Sequence, residues 1–410
     1  MTETSSERLH ALDAVRGFAL IAGVIFHATM SFLPAPAGHS IWIIGDSQRS
    51  LTLGVLFNLL HTFRMTTFFL IAGFFAHLTF HRRGAKGFIV DRLKRIAVPL
   101  VVGWPILFAS IIAVTIWGAV VTAHGRPLPP APPYPGLPTF PLTHLWFLYV
   151  LLLLYAVTLS VRGLVALLDR SGSFRAGVDR VVAAIVKSPF APLALAAPTC
   201  AALYIMPTWL PWFGIPTPDS SLVPNLAATV AYGSAFGFGW LLHRQTALLG
   251  VWQKRWPMNL ALAVGFSGAA FAITGVAPLL TPLPAGWPRL ADAACYTLAN
   301  WTWTFALIGL ALRFLADFSP TRRYIADASY WIYLVHLPIV MALQVALSQL
   351  AWPWEVKFPL ILSLAFPLML GSYELIVRHS FIGAILNGRR HPWPSRERAV
   401  RPSRAQEPAR

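Results

Sequence analysis

The residues of this sequence best suited to chemistry are two ionisable side chains, Arg16 and His27, inside an otherwise apolar segment, residues 12–28. An arginine at the centre of a membrane helix costs about 2.5–3.5 kcal/mol on insertion scales, so its presence there indicates a function. At roughly 100° per residue, a separation of eleven residues brings two side chains to within about 20° of each other, about 16 Å apart along the axis. We therefore predict that Arg16 and His27 share one face of one helix.

A second pair of polar residues, His61 and Arg64, lies near the start of the next apolar run, LFNLLHTFRMTTFFLIAGFF. If the two runs form antiparallel helices, His27, His61 and Arg64 lie at the same depth to within about one turn. An imidazole can act as a general base, and a guanidinium can stabilise an oxyanion. We predict a polar cluster in which His27 and Arg64, with Arg16, are catalytic and His61 binds substrate.

Two further groups of polar residues are candidates for substrate binding. Arg92 and Arg95 are three residues apart and share a helical face, and planar guanidinium groups bind phosphate through paired hydrogen bonds. The same two residues also fit the usual enrichment of basic residues in cytoplasmic loops. In the segment SYWIYLVHLP, Tyr333 and His336 share a face, which is typical either of helix packing or of a cavity lining.

The composition indicates that an integral membrane protein positions these residues. The chain has 410 residues, of which 56% are hydrophobic and 11% charged, whereas soluble domains are about 25% charged. The net charge of +17 would suit nucleic-acid binding in a soluble chain, but in a membrane protein it reflects basic cytoplasmic loops, so we expect no nucleic-acid partner. The cysteines, Cys200 and Cys295, favour neither a disulfide framework nor a metal site, and no bound metal or cofactor is expected.

The apolar runs predict an all-α integral membrane fold, a bundle of about ten transmembrane helices in the bilayer, because runs of about 20 residues span its hydrocarbon core. With ten crossings, 27 of the 32 Lys and Arg residues fall on the side of the N-terminus and 4 on the other. This asymmetry predicts that both termini are cytoplasmic. The helices are expected near residues 12–33, 52–78, 96–121, 142–161, 190–210, 222–242, 258–279, 291–314, 325–350 and 358–377.

The remaining segments have distinct compositions. We expect residues 1–378 to form a single membrane domain, residues 126–141, which are rich in proline, to form an extended outer loop, and residues 379–410 to form a basic, disordered cytoplasmic tail. Tryptophans near the outer ends of the predicted helices are expected to anchor the protein at the membrane interface. They are Trp42, Trp209, Trp212, Trp287, Trp352 and Trp354.

Four motifs, in order along the chain, resemble those of the membrane acyltransferase 3 family, and within it most closely the glucan-modifying subgroup. The resemblance implies a multi-pass enzyme of the bacterial inner membrane that moves an acyl group, acetyl or succinyl, from cytoplasmic acyl-CoA to an extracytoplasmic carbohydrate. It also implies that Arg16 and His27 are essential and that the RxxR motif falls on Arg92 and Arg95. The motifs are R-x10-H from Arg16 to His27, FRMTTFFLIAGFF followed by RLKR, HLWFLYVLLLLY at residues 144–155, and ASYWIYLVH at residues 328–336.

The buried basic residues also suit a different class of protein, a secondary transporter or flippase with a proton or anion pathway. Paired Gly or Pro breaks in two related halves would favour a transporter, and the sequence has no such pattern. A non-catalytic scaffold would leave His27 and Arg64 without a reason to be buried. The sequence does not specify the acyl group, the acceptor or the oligomeric state. It also does not distinguish direct transfer of the acyl group from transfer through an acyl-histidine intermediate.

Overall fold

The computed structural model describes residues 3–35, 40–123, 125–126, 139–388 and 390–392, and these fold almost entirely as helices. The all-α prediction is confirmed for this part of the chain, where strand pairing is limited to one bridge between Thr139 and Ser221. The α-helices are α1 (Glu3–Thr29), α2 (Leu51–Arg92), α3 (Val98–Ala123), α4 (Trp146–Leu168), α5 (Ser173–Lys187), α6 (Ala191–Tyr204), α7 (Leu226–Leu242), α8 (Leu249–Thr274), α9 (Trp287–Phe314), α10 (Pro320–Ser348), α11 (Trp354–Ser372) and α12 (Phe381–Asn387).

Each predicted apolar run overlaps one of these helices. The number of helices does not by itself give the number of membrane crossings. Among the described residues, six segments are long and apolar enough to span a bilayer, or seven if α5 and α6, which meet at 105°, form one span. Two of the six, Leu51–Ala123 and Leu226–Thr274, each contain two helices. The count of ten crossings therefore stays a prediction.

Helix α2 continues far beyond its predicted end at residue 78. Ser50 caps its first turn by accepting a hydrogen bond from the Leu53 N–H. The helix bends at Gly84, whose φ of 67° is a backbone conformation that glycine adopts without the strain of a side chain. Beyond the bend, a π-helical turn over Leu93–Ala97 leads into α3. The bend and the π turn place the basic segment from Arg82 to Arg95 at one end of the bundle.

Helices α2 and α7 cross in direct backbone contact. A Cβ atom added at Gly73 would overlap the carbonyl group of Phe236, and one added at Gly239 would overlap the carbonyl group of Leu70. Small residues at such crossings allow helices in a membrane to pack closely. The crossing fixes α2, and with it His61 and Arg64, against the rest of the bundle.

A segment between α1 and α2, residues 40–50, is held down by polar contacts. The Asp46 carboxylate and the Lys357 ammonium form a buried ion pair at 2.9 Å, with side chains that are 3% and 0% exposed. Arg49 donates to the carbonyl oxygens of Ser31 and Leu33 at 3.3 and 3.0 Å. These contacts connect the segment to the end of α1 and to α11, next to the cavity described below.

The tryptophan prediction is wrong for two of its six residues. Trp209 and Trp212 are 0% and 1% exposed, and the Trp209 indole donates to the Gly214 carbonyl at 2.8 Å. Both side chains are therefore part of the protein interior, because a turn at Pro211–Phe213 folds the segment back onto the bundle. Trp287 and Trp352, by contrast, are exposed.

The predicted disorder after residue 378 is wrong for residues 381–387, which form helix α12. Its end is fixed by a hydrogen bond from the Asn387 amide to the Tyr373 hydroxyl at 3.1 Å. The remainder of the predicted tail from residue 393, and most of the proline-rich loop, residues 127–138, lie outside the described residues.

The α2–α7 crossing makes a prediction about stability. Gly239→Ala forces the two helices apart, and overpacking of this kind costs about 1–3 kcal/mol, so the purified variant should have a lower melting temperature in detergent. Gly237→Ala on the same helix is the matched control, because no atom lies within 4 Å of its added Cβ. Equal melting temperatures for the two variants would contradict the crossing.

Candidate functional site

A cavity of about 530 Å³ lies between α1, α2, α4 and α10. We call it the outer cavity after the predicted topology, and we name the inner cavity below in the same way. One wall is formed by the end of α1, the facing wall by the start of α2, and the others by the start of α4 and the middle of α10. Among the described residues of the lining, the polar side chains are mainly basic, and Asp219 is the one carboxylate. The side chains of interest are His27, His61, Arg64, His144, Tyr333 and His336.

Arg64 lies against α1 inside this cavity. Its guanidinium carbon is 4.2 Å from the centroid of the Phe26 ring, a cation–π contact. Glycine at position 23 leaves room for this approach, because an added Cβ would lie 3.0 Å from Nη1 of Arg64 and the guanidinium would have to shift by a few tenths of an ångström. The side chain is buried, and its Nε has no hydrogen-bond partner in the part of the chain that the structure describes. A buried cation without a counterion attracts an anionic group.

His27 and His336 face each other across the cavity with ring centroids 5.1 Å apart. Nδ1 of His336 lies 2.6 Å from the Tyr333 carbonyl oxygen. A carbonyl can only accept, so Nδ1 carries the proton and Nε2 presents a lone pair, which has no partner among the described residues. The His27 ring is similarly free at Nδ1, while Gln344 anchors its backbone by donating to its carbonyl oxygen at 2.9 Å.

His61 completes the predicted cluster through aromatic stacking. Its ring is stacked on Phe26 with centroids 5.3 Å apart and on Phe57 at 5.9 Å. Phe26 thus contacts both His61 and Arg64 and joins α1 to α2. The structure thus brings His27, His61 and Arg64 together in one cavity; their depth in the membrane and their roles stay predictions.

His144 also lines the outer cavity and is not among the predicted site residues. It lies immediately before α4, and its Nε2 donates to the Leu334 carbonyl at 2.9 Å. Its ring centroid is 5.3 Å from that of His336, and its own carbonyl accepts from the Tyr333 hydroxyl at 2.7 Å. The available signal was a polar residue opening an apolar run, HLWFLYV, at the same end of the bundle as His27.

An inner cavity of about 440 Å³ contains the predicted arginines. Arg16 pairs with Asp13 at 3.3 Å, and Arg92 lies 3.0 Å from Asp91 and donates to Thr79 at 3.1 Å. The lining has more arginines than carboxylates, so its charge suits phosphate groups. The charged and phenolic residues of the lining are Asp13, Arg16, Arg82, Arg92, Arg95, Tyr155, Arg323, Asp327, Tyr330 and Tyr333.

The two cavities meet at four shared residues, Leu20, Phe68, Phe147 and Tyr333, which we call the septum. Phe147 packs edge-on against Phe68 and Tyr333, with ring centroids 4.7 and 5.8 Å away. Leu20 lies between Arg16 and His27 on the first helix, so the predicted common face of α1 runs along both cavities. Each of the eight predicted site residues lines one cavity or the other.

Comparison with known proteins assigns the chain to a family. A family model described as an acyltransferase domain matches residues 9–373. The chain belongs to the acyltransferase 3 family. The prediction of an acyltransferase is therefore confirmed, and the long apolar helices make the protein a multi-pass membrane acyltransferase.

Curated relatives match a smaller part of the chain. Glucans biosynthesis protein C of Escherichia coli strain SMS-3-5 / SECEC is 29% identical over 107 residues, which is 26% of this chain and 26% of the relative. The protein of the same name from Escherichia coli strain K12 is 28% identical over 107 residues, with the same coverage. The chain thus aligns with about a quarter of the length of these relatives. No solved structure matches the chain.

The contact between Gly23 and Arg64 makes a prediction about activity. Gly23→Ala places a methyl group against Nη1 of Arg64 and displaces the guanidinium. The acyl-transfer rate should therefore fall by roughly tenfold. This is less than the 10²–10³-fold fall in rate that follows complete removal of an oxyanion donor. The rate is measured at matched protein levels. Gly17→Ala on the same helix, where the nearest atom would be Ile325 Cγ2 at an ordinary 3.8 Å, should keep full activity. Equal rates in the two variants would contradict a role for Arg64's position.

Proposed function

We propose that this protein is a transmembrane O-acyltransferase of the bacterial inner membrane. It moves an acetyl or succinyl group from cytoplasmic acyl-CoA to hydroxyl groups of an extracytoplasmic carbohydrate, such as a periplasmic glucan or another polysaccharide. The observation that carries the proposal is the pairing of an arginine-lined cavity with a histidine-lined cavity across one septum. In the proposed topology the chain crosses the membrane ten times and both termini are cytoplasmic.

The inner cavity is the proposed donor site. Arg16, Arg92 and Arg95 bind the phosphates of acyl-CoA, which is a substrate rather than a resident cofactor. Asp91 supports this role because its carboxylate lies 3.0 Å from Arg92 and 4.0 Å from Arg95, which limits the rotation of both side chains. Guanidinium groups held in this way bind phosphate oxygens with less loss of side-chain entropy.

The septum is the proposed passage for the acyl-bearing arm. Arg16 and His27 are separated along α1 by about 16 Å, a distance that an extended pantetheine chain can cover. The phosphates can therefore remain in the inner cavity while the thioester lies in the outer cavity near His27. The aromatic rings of the septum surround the arm and separate the two aqueous spaces.

In the outer cavity, the proposed base is His27. It takes the proton of a carbohydrate hydroxyl as the oxygen attacks the thioester carbonyl. The tetrahedral intermediate then collapses, the carbon–sulfur bond breaks, and the CoA thiolate recovers the proton from the His27 imidazolium. Arg64 stabilises the oxyanion. The alternative route, in which His27 itself carries the acyl group, gives an acylated enzyme when acyl-CoA is supplied without an acceptor.

His336 and Tyr333 are the proposed acceptor-binding residues, together with His61. The unprotonated Nε2 of His336 accepts a hydrogen bond from a carbohydrate hydroxyl and holds it near His27. The Tyr333 carbonyl oxygen accepts a hydrogen bond from Nδ1 of His336 at 2.6 Å. This bond fixes the tautomer in which Nε2 is unprotonated. His144 supports the same wall of the cavity through its hydrogen bond to Leu334.

Among acyl groups, the lining of the outer cavity favours one that carries its own carboxylate. Arg64 is buried without a carboxylate partner in the described residues, and a succinyl thioester carries a free carboxylate, whereas an acetyl thioester has none. The several N–H donors of a guanidinium allow Arg64 to bind this carboxylate as well as the oxyanion. The name of the curated relatives, glucans biosynthesis protein C, supports a glucan as the acceptor. We therefore propose succinyl transfer to glucan as the specific reaction.

The experiment that tests the proposal follows transfer of labelled succinyl and acetyl groups from CoA to glucan by the purified protein. His27→Ala should lower the rate by about 10²–10⁴, the usual contribution of a positioned base, while His336→Ala should mainly raise the KM for glucan. His81→Ala is the control, because this exposed histidine lies in neither cavity. Full transfer by the His27 variant would overturn the assignment of the base.

A further inference from the structure

A third depression lies at the basic end of the bundle, next to the inner cavity, with which it shares Arg95. It has a volume of about 1070 Å³ and runs between the end of α2 and helix α12. Arg95 forms part of its wall by donating from Nε and Nη2 to the Leu386 carbonyl at 3.1 and 3.0 Å. We call it the basic groove; its lining is Arg83, Lys86, Gly87, Val90, Asp91, Lys94, Arg95, Val98, Ala384, Ile385 and Gly388.

The charge of the basic groove is not balanced by its own residues. Its lining has four cationic side chains and one carboxylate, Asp91. Asp91 is already engaged by Arg83 at 2.7 Å and by Arg95 at 4.0 Å. Lys86 and Lys94 are exposed, and neither is part of an ion pair in the described portion of the chain. The groove therefore presents two free ammonium groups to an anionic ligand.

The surroundings of the groove are apolar and continuous with the face of α3 that would contact lipid. Val90 and Val98, which line the groove, are both 42% exposed, and Val101 and Val102 in the next turn of α3 are 70% and 60% exposed. A ligand that fits both surfaces has an anionic group attached to a hydrocarbon chain. A free phosphate compound would leave the valine surface uncovered.

We propose that the basic groove binds the phosphate headgroup of an anionic phospholipid in the cytoplasmic leaflet, with the acyl chains lying along α3. Lys86 and Lys94 contact the phosphate, and Val98, Val101 and Val102 contact the first methylene groups. The inference rests on the proposed membrane orientation and does not depend on the acyl-transfer chemistry. The bound lipid stabilises the position of α12, whose Leu386 and Asn387 line one end of the inner cavity.

The test measures lipid binding to delipidated protein in a neutral detergent by native mass spectrometry. Short-chain phosphatidylglycerol is titrated against short-chain phosphatidylcholine, with inorganic phosphate and adenosine 3′,5′-bisphosphate as soluble competitors. We expect saturable binding of phosphatidylglycerol. Each basic residue near an anionic surface contributes about 1 kcal/mol, or roughly fivefold, so a Lys86→Gln/Lys94→Gln variant should bind about 25-fold more weakly.

The matched control is Lys187→Gln/Lys254→Gln, which removes two exposed lysines outside the groove and should bind the lipid like the wild type. Three results would overturn the proposal. The first is equal binding of phosphatidylglycerol and phosphatidylcholine, and the second is an equal loss of phosphatidylglycerol binding in the two double variants. The third is displacement of the lipid by the soluble phosphates at comparable concentrations, which would assign the groove to a soluble anion.

Discussion

The rest of the structure depends on the cost of burying ionisable groups where neither water nor lipid can solvate them. Such a group must find a partner within the protein or lie in a cavity that admits a ligand. Lys357 meets the first condition through Asp46 at 2.9 Å. Arg64, His27 and His336 meet the second, because each has a buried nitrogen without a partner among the described residues and each lines the outer cavity. Lys357 is therefore a structural charge, whereas Arg64, His27 and His336 have nitrogen atoms that are available to a ligand.

The same constraint explains how the cavity is built. Its polar side chains are oriented by backbone carbonyls rather than by carboxylates: Tyr333 orients His336, and Leu334 orients His144. A carbonyl fixes a neutral imidazole in one tautomer and adds no charge. In the neutral form of His336 this leaves Nε2 as a hydrogen-bond acceptor in the same cavity as Arg64. At the inner end, by contrast, Asp13 and Asp91 hold the arginines by ion pairs, which suits a site near water.

The sequence predicted those parts of the site that depend on spacing within one helix or between neighbouring helices. Arg16 and His27 share a face because of helical periodicity, and His61 and Arg64 line the same cavity as His27 because the end of α1 faces the start of α2. His144 was missed because its place depends on α4 meeting α10, a contact between segments about 190 residues apart that no local pattern reports. Neither Arg92 nor Arg95 could be assigned to a cavity until the π turn at Leu93–Ala97 was known.

The errors have similar physical causes. Apolar runs do not predict helix α5, because it has a polar face and only 15 residues. Tryptophan is typical of the membrane interface, but a turn between α6 and α7 buries Trp209 and Trp212. Helix α12 lies at the start of a basic segment whose composition suggests disorder, and it is held by tertiary contacts with Tyr373 and Arg95. The errors on the tryptophans and on α12 concern tertiary contacts that composition does not report.

In the proposed function, donor and acceptor reach one site from opposite faces of the membrane through the septum. This can be measured with the protein reconstituted with uniform orientation in sealed vesicles that enclose glucan, with labelled succinyl-CoA added outside. We expect the enclosed glucan to become labelled only when the arginine-lined end of the protein faces outward. Labelling only when succinyl-CoA and glucan are on the same side would contradict it.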